Sequence, residues 1–333
     1  MSSLTDSYGR KHRDLRVSLT DRCSLRCAYC MPHDFSDWLK SEHLLNTDEL
    51  MTVVSVAVAV GIEEIRLTGG EPLLRADIVE IVSRISALAN APSVSLTTNG
   101  LRLVQLAKPL AEAGLQRINV SLDTLDRSRF MALTHRDRIE DVFAGLHAAR
   151  EAGLAPIKIN SVLLKDINDD EAPSLLKWAL AEGYSLRFIE QMPLDAGGIW
   201  DRATMVTADA ILASLSEEFE LAPVPGRGSS PAQEFYINGT QATVGIIASV
   251  TEPFCGACDR LRLTSDGQLR SCLFSLEEMD LRKVLRSLDY SQDQITQELS
   301  DRFYKAVAGK LPGHGINDPS FIQPRRPMSA IGG

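Results

Sequence analysis

Gly61-Ile62-Glu63-Glu64-Ile65-Arg66-Leu67-Thr68-Gly69-Gly70-Glu71-Pro72 contains the unit from which the fold is built. Upstream, Asn46 and Glu49 have capping-box spacing, and Leu50, Val53, Val54 and Ala57 follow at helical intervals. Gly61 stands where a helix-terminating glycine belongs, because glycine takes left-handed backbone without a Cβ penalty. Glu63 to Thr68 then alternates, Ile65 and Leu67 on one parity and Arg66 and Thr68 on the other, which predicts a strand. Gly69-Gly70-Glu71-Pro72 ends it. Two glycines let a ligand approach the backbone, and Glu71 offers an acceptor or base at a strand's C-terminal end.

The same order recurs. Gly114 is followed by Arg117 to Asp123, Gly153 by Pro156 to Val162, and Gly183 by Ser185 to Gln191. Ser93 to Asn99 falls between the helix after Pro72 and the one reaching Gly114. With Asp14 to Thr20, six strands alternate with helices, which predicts a parallel sheet with helical crossovers and a partial or complete TIM-type barrel. One parity is apolar (Val17, Leu19, Ile65, Leu67, Val94, Leu96, Ile118, Val120, Ile157, Ile159, Leu186, Phe188) and belongs under the helices. The other carries Arg16, Ser18, Arg66, Thr68, Ser95, Thr97, Asn119, Ser121, Lys158, Asn160 and Arg187, with Ile189 interrupting the last strand. A barrel interior normally holds branched apolar side chains. Six polar faces predict instead a wet lumen that binds something polar and large.

After the first strand comes Asp21-Arg22-Cys23-Ser24-Leu25-Arg26-Cys27-Ala28-Tyr29-Cys30-Met31-Pro32. Its three sulfurs can converge on one point, and thiolates suit iron–sulfur clusters or zinc. His33 is the nearest candidate for a fourth ligand, but structural zinc usually takes paired cysteines or histidines. A four-iron cluster on three cysteines leaves one iron open to a non-protein ligand. The spacing, with Tyr29 before the last cysteine, resembles that of the radical S-adenosylmethionine (SAM) enzymes. The resemblance implies a 4Fe-4S cluster on Cys23, Cys27 and Cys30 that chelates SAM and gives it one electron, yielding a 5′-deoxyadenosyl radical. It also implies SAM contacts from Tyr29, from Gly70 of the Gly-Gly-Glu-Pro turn, and from Ser121 and Met192.

Beyond Gln191 the pattern changes. Pro225-Gly226-Arg227-Gly228-Ser229-Ser230-Pro231 reads as a linker. Glu234 to Ile237, Asn238-Gly239 and Thr240 to Ser249 read as a hairpin with a primed turn. Cys255-Gly256-Ala257-Cys258 leads into Asp259 to Thr264, Asp266-Gly267 and Gln268 to Cys272. A two-residue turn at Asp266-Gly267 sets residue 272 opposite Leu261 and folds Cys272 back onto Cys255 and Cys258. Three thiolates without a nearby histidine again suit a cluster with an open position; structural zinc with a remote fourth ligand is the alternative. Arg260 and Arg262 share one face of the strand. They would mark a solvated edge or, with Arg16, Arg66 and Lys158, form a polyphosphate clamp.

The chain has 333 residues, 44% of them hydrophobic, enough for a large barrel-type domain with an appended unit, or for two domains. No apolar run nears the roughly 20 residues of a membrane helix. Met1 to Arg16 has no apolar signal core, so a cytoplasmic protein is expected. Six cysteines in a chain of this size point to metal binding rather than disulfides. A net charge of -9 argues against a nucleic-acid binder, so any anionic ligand needs a local cluster of cations.

Two three-cysteine groups, the Gly-Gly-Glu-Pro turn and Cys-x2-Cys-x-Arg-x-Arg together resemble the GTP 3′,8-cyclase family, from Arg16 to the terminal Gly332-Gly333. The resemblance implies an α/β fold: a partial or incomplete TIM-type (βα) barrel over residues 1–225 and a C-terminal α+β extension over residues 226–333 carrying a second 4Fe-4S cluster. It implies a lyase that cyclises GTP to 3′,8-cyclo-7,8-dihydroguanosine 5′-triphosphate, the first step of molybdenum cofactor (molybdopterin) biosynthesis. The radical takes the ribose 3′ hydrogen and the resulting carbon radical attacks guanine C8, so no protein side chain is itself catalytic. By the same resemblance the cluster on Cys255, Cys258 and Cys272 binds guanine, and the Gly-Gly tail lies at the active site. Arg16, Arg66, Thr97, Lys158, Arg260, Leu261 and Arg262 contact GTP. Implied partners are GTP, a one-electron donor and the next enzyme of the pathway, with no membrane or nucleic acid, the chain being a monomer or homodimer. Two readings stand beside this one. A peptide-modifying radical SAM enzyme with an auxiliary cluster would have little use for the lumen cations, and a non-catalytic zinc scaffold would be colourless.

Overall fold

Alternation puts every second side chain of a strand on one face, and the six predicted strands obey it. In the computed structural model, which describes residues 3–32, 34–195, 198, 200–324 and 326–332, they are β1 (Asp14–Ser18), β2 (Glu64–Thr68), β3 (Ser93–Thr98), β4 (Arg117–Ser121), β5 (Ile157–Val162) and β6 (Ser185–Ile189). The helices between them are α1 (Thr47–Ala59), α2 (Ile78–Ser86), α3 (Leu103–Glu112), α4 (Arg127–Thr134), α5 (Ile139–Glu151) and α6 (Ala172–Glu182). Asn46 and Glu49 close the capping box at the start of α1, each side chain accepting the other's backbone N–H at 2.9 Å. Val17, Ile65, Leu67, Leu96, Ile118, Val120, Ile159 and Phe188 are fully buried beneath these helices.

Six more strands follow: β7 (Leu221–Pro223), β8 (Gln233–Ile237), β9 (Thr243–Ile247), β10 (Arg260–Leu263), β11 (Gln268–Arg270) and β12 (Met279–Asp280). All twelve lie in one sheet, in the order β12-β11-β10-β1-β2-β3-β4-β5-β6-β9-β8-β7. β10 joins β1 in parallel and β9 joins β6 in parallel, so eight parallel strands stand side by side, as many as in a closed TIM barrel. Closure is prevented because β10 continues to β11 and β9 to β8, both antiparallel. The barrel is incomplete, and strands from the C-terminal part extend both of its edges.

Three local expectations change. The stretch read as a linker connects β7 to β8, antiparallel neighbours whose pairing is continued by a Val224 N–H bond to the Glu234 carbonyl at 2.8 Å. A turn and a linker share the same composition. The β8–β9 turn is primed, with φ 50° at Asn238 and 67° at Gly239, but pairing resumes only at Ala242. At the β10–β11 hairpin the register is Arg262 to Arg270, which puts Ser265, Asp266 and Gly267 in a three-residue turn with Gly267 at φ 80°. Extended, this register faces Cys272 with Arg260 rather than Leu261. One residue of slip exchanges the faces of a strand, and the observed register puts Cys272 on the arginine face. No described helix is long and apolar enough to cross a membrane.

Candidate functional site

The first cysteine loop leaves β1 and is held by neighbours on both sides. Gly70 N–H donates to the Thr20 carbonyl and Glu71 N–H to the Arg22 carbonyl, each at 2.7 Å. From the other side the C-terminal turn of α4 accepts the N–H groups of Arg26 and Ala28 at its Thr134 and Leu133 carbonyls, each at 3.0 Å. The glycines are required by the chain itself. A Cβ on Gly70 would stand 2.4 Å from the Arg22 carbonyl oxygen, and one on Gly69 2.5 Å from that of Thr20. Glu71, expected as an acceptor or base, has both oxygens taken up by its own chain: Leu73 N–H (2.9 Å) and the Thr98 hydroxyl (2.7 Å) at Oε1, Asn99 N–H (2.7 Å) at Oε2.

Cys23, Cys27 and Cys30 line one cavity together with Tyr29, Gly70, Ser121 and Met192, so every residue expected at SAM lies in it; Thr97, expected at GTP, lines it too. Burial pushes the Cys23 thiol up to about 11 and that of Cys30 to about 12, and raises that of Cys27 well above its ordinary value. Glu71 adds to the rise at Cys23, Asp123 at Cys27 and Asp195 at Cys30. Three such thiols favour their thiolate form only when a cation binds them, and that donor set fits a cluster. Asn99 Nδ2 lies 3.9 Å from Cys23 Sγ and donates to Ser24 at 3.0 Å, while the Tyr29 hydroxyl donates to Asp123 at 2.8 Å. Burial raises Asp123 to about 6.

Cys255, Cys258 and Cys272 line a second cavity. Burial raises the Cys258 thiol, but Arg260 and Lys310 outweigh it and bring the group to about 7. Arg260 Nη2 is 3.4 Å from Cys258 Sγ and Lys310 Nζ 3.6 Å. Buried Lys310 also donates to the Arg260 carbonyl at 2.5 Å and approaches His12 Nδ1 at 3.5 Å; His12 Nε2 meets Asp6 at 3.1 Å. Arg10 ties the same N-terminal segment to the carbonyls of Cys255 (2.7 Å) and Leu311 (2.8 Å). Residues 6 to 12 were not signalled by the sequence, because what they support is distant along the chain.

A third cavity holds Arg16, Arg66, Lys158 and Arg260 at the end of the strands opposite the first cysteine loop. Register explains the grouping. Arg262 of β10, Arg16 of β1 and Arg66 of β2 are direct neighbours on adjacent strands, so they stand in a row rather than closing over one another. At a strand spacing of about 4.8 Å, neighbouring charges repel by up to about 3 kcal/mol at an effective dielectric constant of about 20. Burial and the charge of Arg66 hold the Arg16 guanidinium well below its ordinary value. Its Nε and that of Arg66 are buried without a hydrogen-bond partner.

Arg13, Arg117 and Arg187 also line this cavity but are neutralised by Glu63, Glu64 and Glu234, each at 3.4 Å. Among the described residues, Arg16, Arg66, Lys158, Arg260 and Arg262 form no ion pair. Arg227 lines the cavity as well, likewise without an ion pair, and strand parity could not have found it because it lies in a turn. Leu261 stays fully buried in the apolar core against Leu15, so its side chain is not brought to the cations. Gly332 lies in the lumen: Arg262 Nη1 donates to its carbonyl, and a Cβ there would stand 2.5 Å from Thr68 Oγ1. His33 and Gly333 lie outside the described residues.

Two family models match the chain, the Radical SAM superfamily over residues 17–179 and Molybdenum Cofactor Synthesis C over residues 184–316. A Streptomyces coelicolor protein named GTP 3′,8-cyclase is 56% identical over 99% of this chain and 96% of its own length. A Mycobacterium tuberculosis protein named GTP 3′,8-cyclase 2 is 51% identical over 99% and 92%. Among solved structures, native anSMEcpe with bound AdoMet superposes with a TM-score of 0.58 at 15% identity, covering 88% of this chain and 82% of that one. Streptococcus suis SuiB gives 0.59 at 14%, covering 89% and 67%. At these identities the two structures bear on the fold alone.

Proposed function

The chain belongs to the GTP 3′,8-cyclase family, and from that premise we propose that it cyclises GTP to 3′,8-cyclo-7,8-dihydroguanosine 5′-triphosphate, the first step of molybdenum cofactor biosynthesis. The observation that carries this is a row of cations none of which is in an ion pair, although Asp14 lies beside it. Every lumen arginine beside a glutamate is paired, and the five cations assigned to substrate are not. Such a row is relieved by a polyanion, and guanidinium groups match phosphate oxygens in pairs.

Cys23, Cys27 and Cys30 would hold a 4Fe-4S cluster, and Cys255, Cys258 and Cys272 a second. Bound there, the clusters and SAM supply the one-electron chemistry of the reaction. The chain's own part is to orient and enclose. Tyr29, Gly70, Ser121 and Met192 would line SAM; Arg16, Arg66, Lys158, Arg260 and Arg262 would hold the triphosphate; Thr97, between the two sets, would touch the nucleoside. Leu261 would contribute backbone only. Gly332, bound through its carbonyl to Arg262, would narrow the lumen and exclude water and stray C–H bonds. Residues 1–225 would thus serve SAM and residues 226–333 the guanine end of the substrate. A one-electron donor, the next enzyme of the pathway, a cytoplasmic location and a monomeric or homodimeric state complete the reading.

Anaerobic incubation of the reconstituted protein with SAM, GTP and a one-electron reductant is expected to give 5′-deoxyadenosine and the cyclised triphosphate in equal amounts. SAM cleavage with GTP untouched would point to a peptide substrate instead. Colourless protein with stoichiometric zinc would end both readings.

A further inference from the structure

The β7–β8 connection lines the cation cavity from outside the strands. Gly226 and Gly228 take left-handed backbone, at φ +80° and +58°, so the chain doubles back around Arg227. Arg227 Nε donates to the Ser230 carbonyl at 3.1 Å and Nη2 to that of Pro231, which fixes the side chain against its own loop. Nη1 makes no hydrogen bond among the described residues. The Arg227 guanidinium carbon stands 5.2 Å from the centroid of Phe254, and that of Arg260 stands 4.4 Å from the same ring. Two guanidinium groups therefore share one aromatic ring, neither of them in an ion pair. Ser229 and Ser230 of the same loop line the cavity beside Arg16, Arg66 and Lys158.

The order of these groups gives the loop a role. Cys258 Sγ lies 3.4 Å from Arg260, Arg260 stacks on Phe254, and Phe254 stacks on Arg227. A nucleotide whose base end sits at the second cysteine cavity meets Arg260 before Arg227. We propose that Arg227, with the Ser229 hydroxyl, is the subsite for the terminal phosphate and selects a nucleoside triphosphate over shorter phosphates; the Ser230 hydroxyl donates to the Ala232 carbonyl at 3.2 Å. This rests on the GTP reading above. Phe254 is the positioning residue: its ring holds both guanidinium groups at fixed separation, and cation–π contact offsets part of their repulsion.

The test measures affinity of the anaerobic holoenzyme for GTP, GDP and GMP by equilibrium dialysis. Arg227→Ala is expected to weaken GTP about tenfold, as for one charged hydrogen bond, while GMP changes less than about twofold. Arg227→Lys should recover part of the loss, since it restores charge without the planar fork. Phe254→Leu should weaken GTP about threefold with the same indifference to GMP, the stacking contribution at a partly exposed site. Should Arg227→Ala fail to retain its clusters, the Ser229→Ala variant carries the test, with GTP again weakened and GMP unchanged. The inference is wrong if these variants bind GTP like wild type, or if GTP and GMP weaken together. Wild-type protein that binds neither nucleotide, or that binds GTP and GMP equally, overturns the triphosphate reading as well, whereas a wild type that prefers GTP with variants that keep that preference overturns the subsite alone.

Discussion

The two cysteine sites present the same donors in opposite electrical surroundings. Around Cys23, Cys27 and Cys30 burial and three acids, Glu71, Asp123 and Asp195, all disfavour negative charge on sulfur, with Arg26 opposing at Cys23. Around Cys258, Arg260 and Lys310 overcome burial and favour it, while at Cys255 Arg260 opposes burial without reversing it. Charge and hydrogen bonds to sulfur set how readily a cluster gives up an electron. The first setting would make a cluster held there the stronger reductant, as reduction of SAM requires. The second would make one the easier electron acceptor and a suitable neighbour for an anionic substrate. Ligand identity is shared, and the flanking residues make the distinction.

The largest effect should come from removing ligands. Changing Cys23, Cys27 or Cys30 to Ala should abolish 5′-deoxyadenosine formation, whereas Ala at Cys255, Cys258 or Cys272 should spare most of it and stop cyclisation; both products are read by chromatography. Normal cyclisation by the second set would erase the distinction. Gly70→Ala comes next. Its Cβ meets backbone at 2.4 Å, so a loss on the order of 4 kcal/mol is expected, with iron falling from about eight to about four per chain. Gly256→Ala, with nothing within 4 Å of its Cβ, should retain both clusters and is the matched control.

Asp123 gives a pH test of the acid flank. Its carboxyl is raised by burial from 3.8 to about 6, so its contribution to stability is complete below pH 3.8 and is lost as pH rises through about 6. Asp123→Asn should remove that slope, a gain relative to wild type of about 3 kcal/mol at pH 7 or above, read from denaturant midpoints. Parallel pH profiles for the two proteins would dismiss the cost. The smallest effect concerns the cationic flank. In cluster-free protein at pH 7, iodoacetamide should alkylate Cys258 well before Cys23 or Cys30. Lys310→Met should slow it by up to about fivefold, the fall in thiolate fraction at pH 7 when the pKa rises from about 7 by one unit. An unchanged rate would leave Arg260 as the sole cause.

What the sequence made legible was local. Parity located six strands and their polar face because side-chain direction in a strand is fixed by position alone. Capping at Asn46 was legible for the same reason. What escaped depended on distant partners. Nothing near Arg10, His12 or Lys310 announces that they meet at Cys258, and nothing in β9 or β10 says that each will join the parallel sheet. The Asp266-Gly267 pair signalled a hairpin correctly, but its loop length is chosen by Gly267 at φ 80° and by the Thr264 hydroxyl, which accepts the Gln268 N–H at 2.9 Å. Of the cations, parity found those on strands and missed Arg227.

The pairing of β1 with β10 also bears on how the molecule is made. Residues 14–17 pair with residues 260–263, so one edge of the early strands has no partner until most of the chain has been synthesised. An uncovered parallel edge is slow to complete and open to pairing with other chains in the interval. Arg13, Asp14 and Arg16 mark that edge with charge, and Arg262 meets it only at the last. Arg16, which would grip the substrate, is thus also positioned to keep the half-made barrel from pairing with its neighbours.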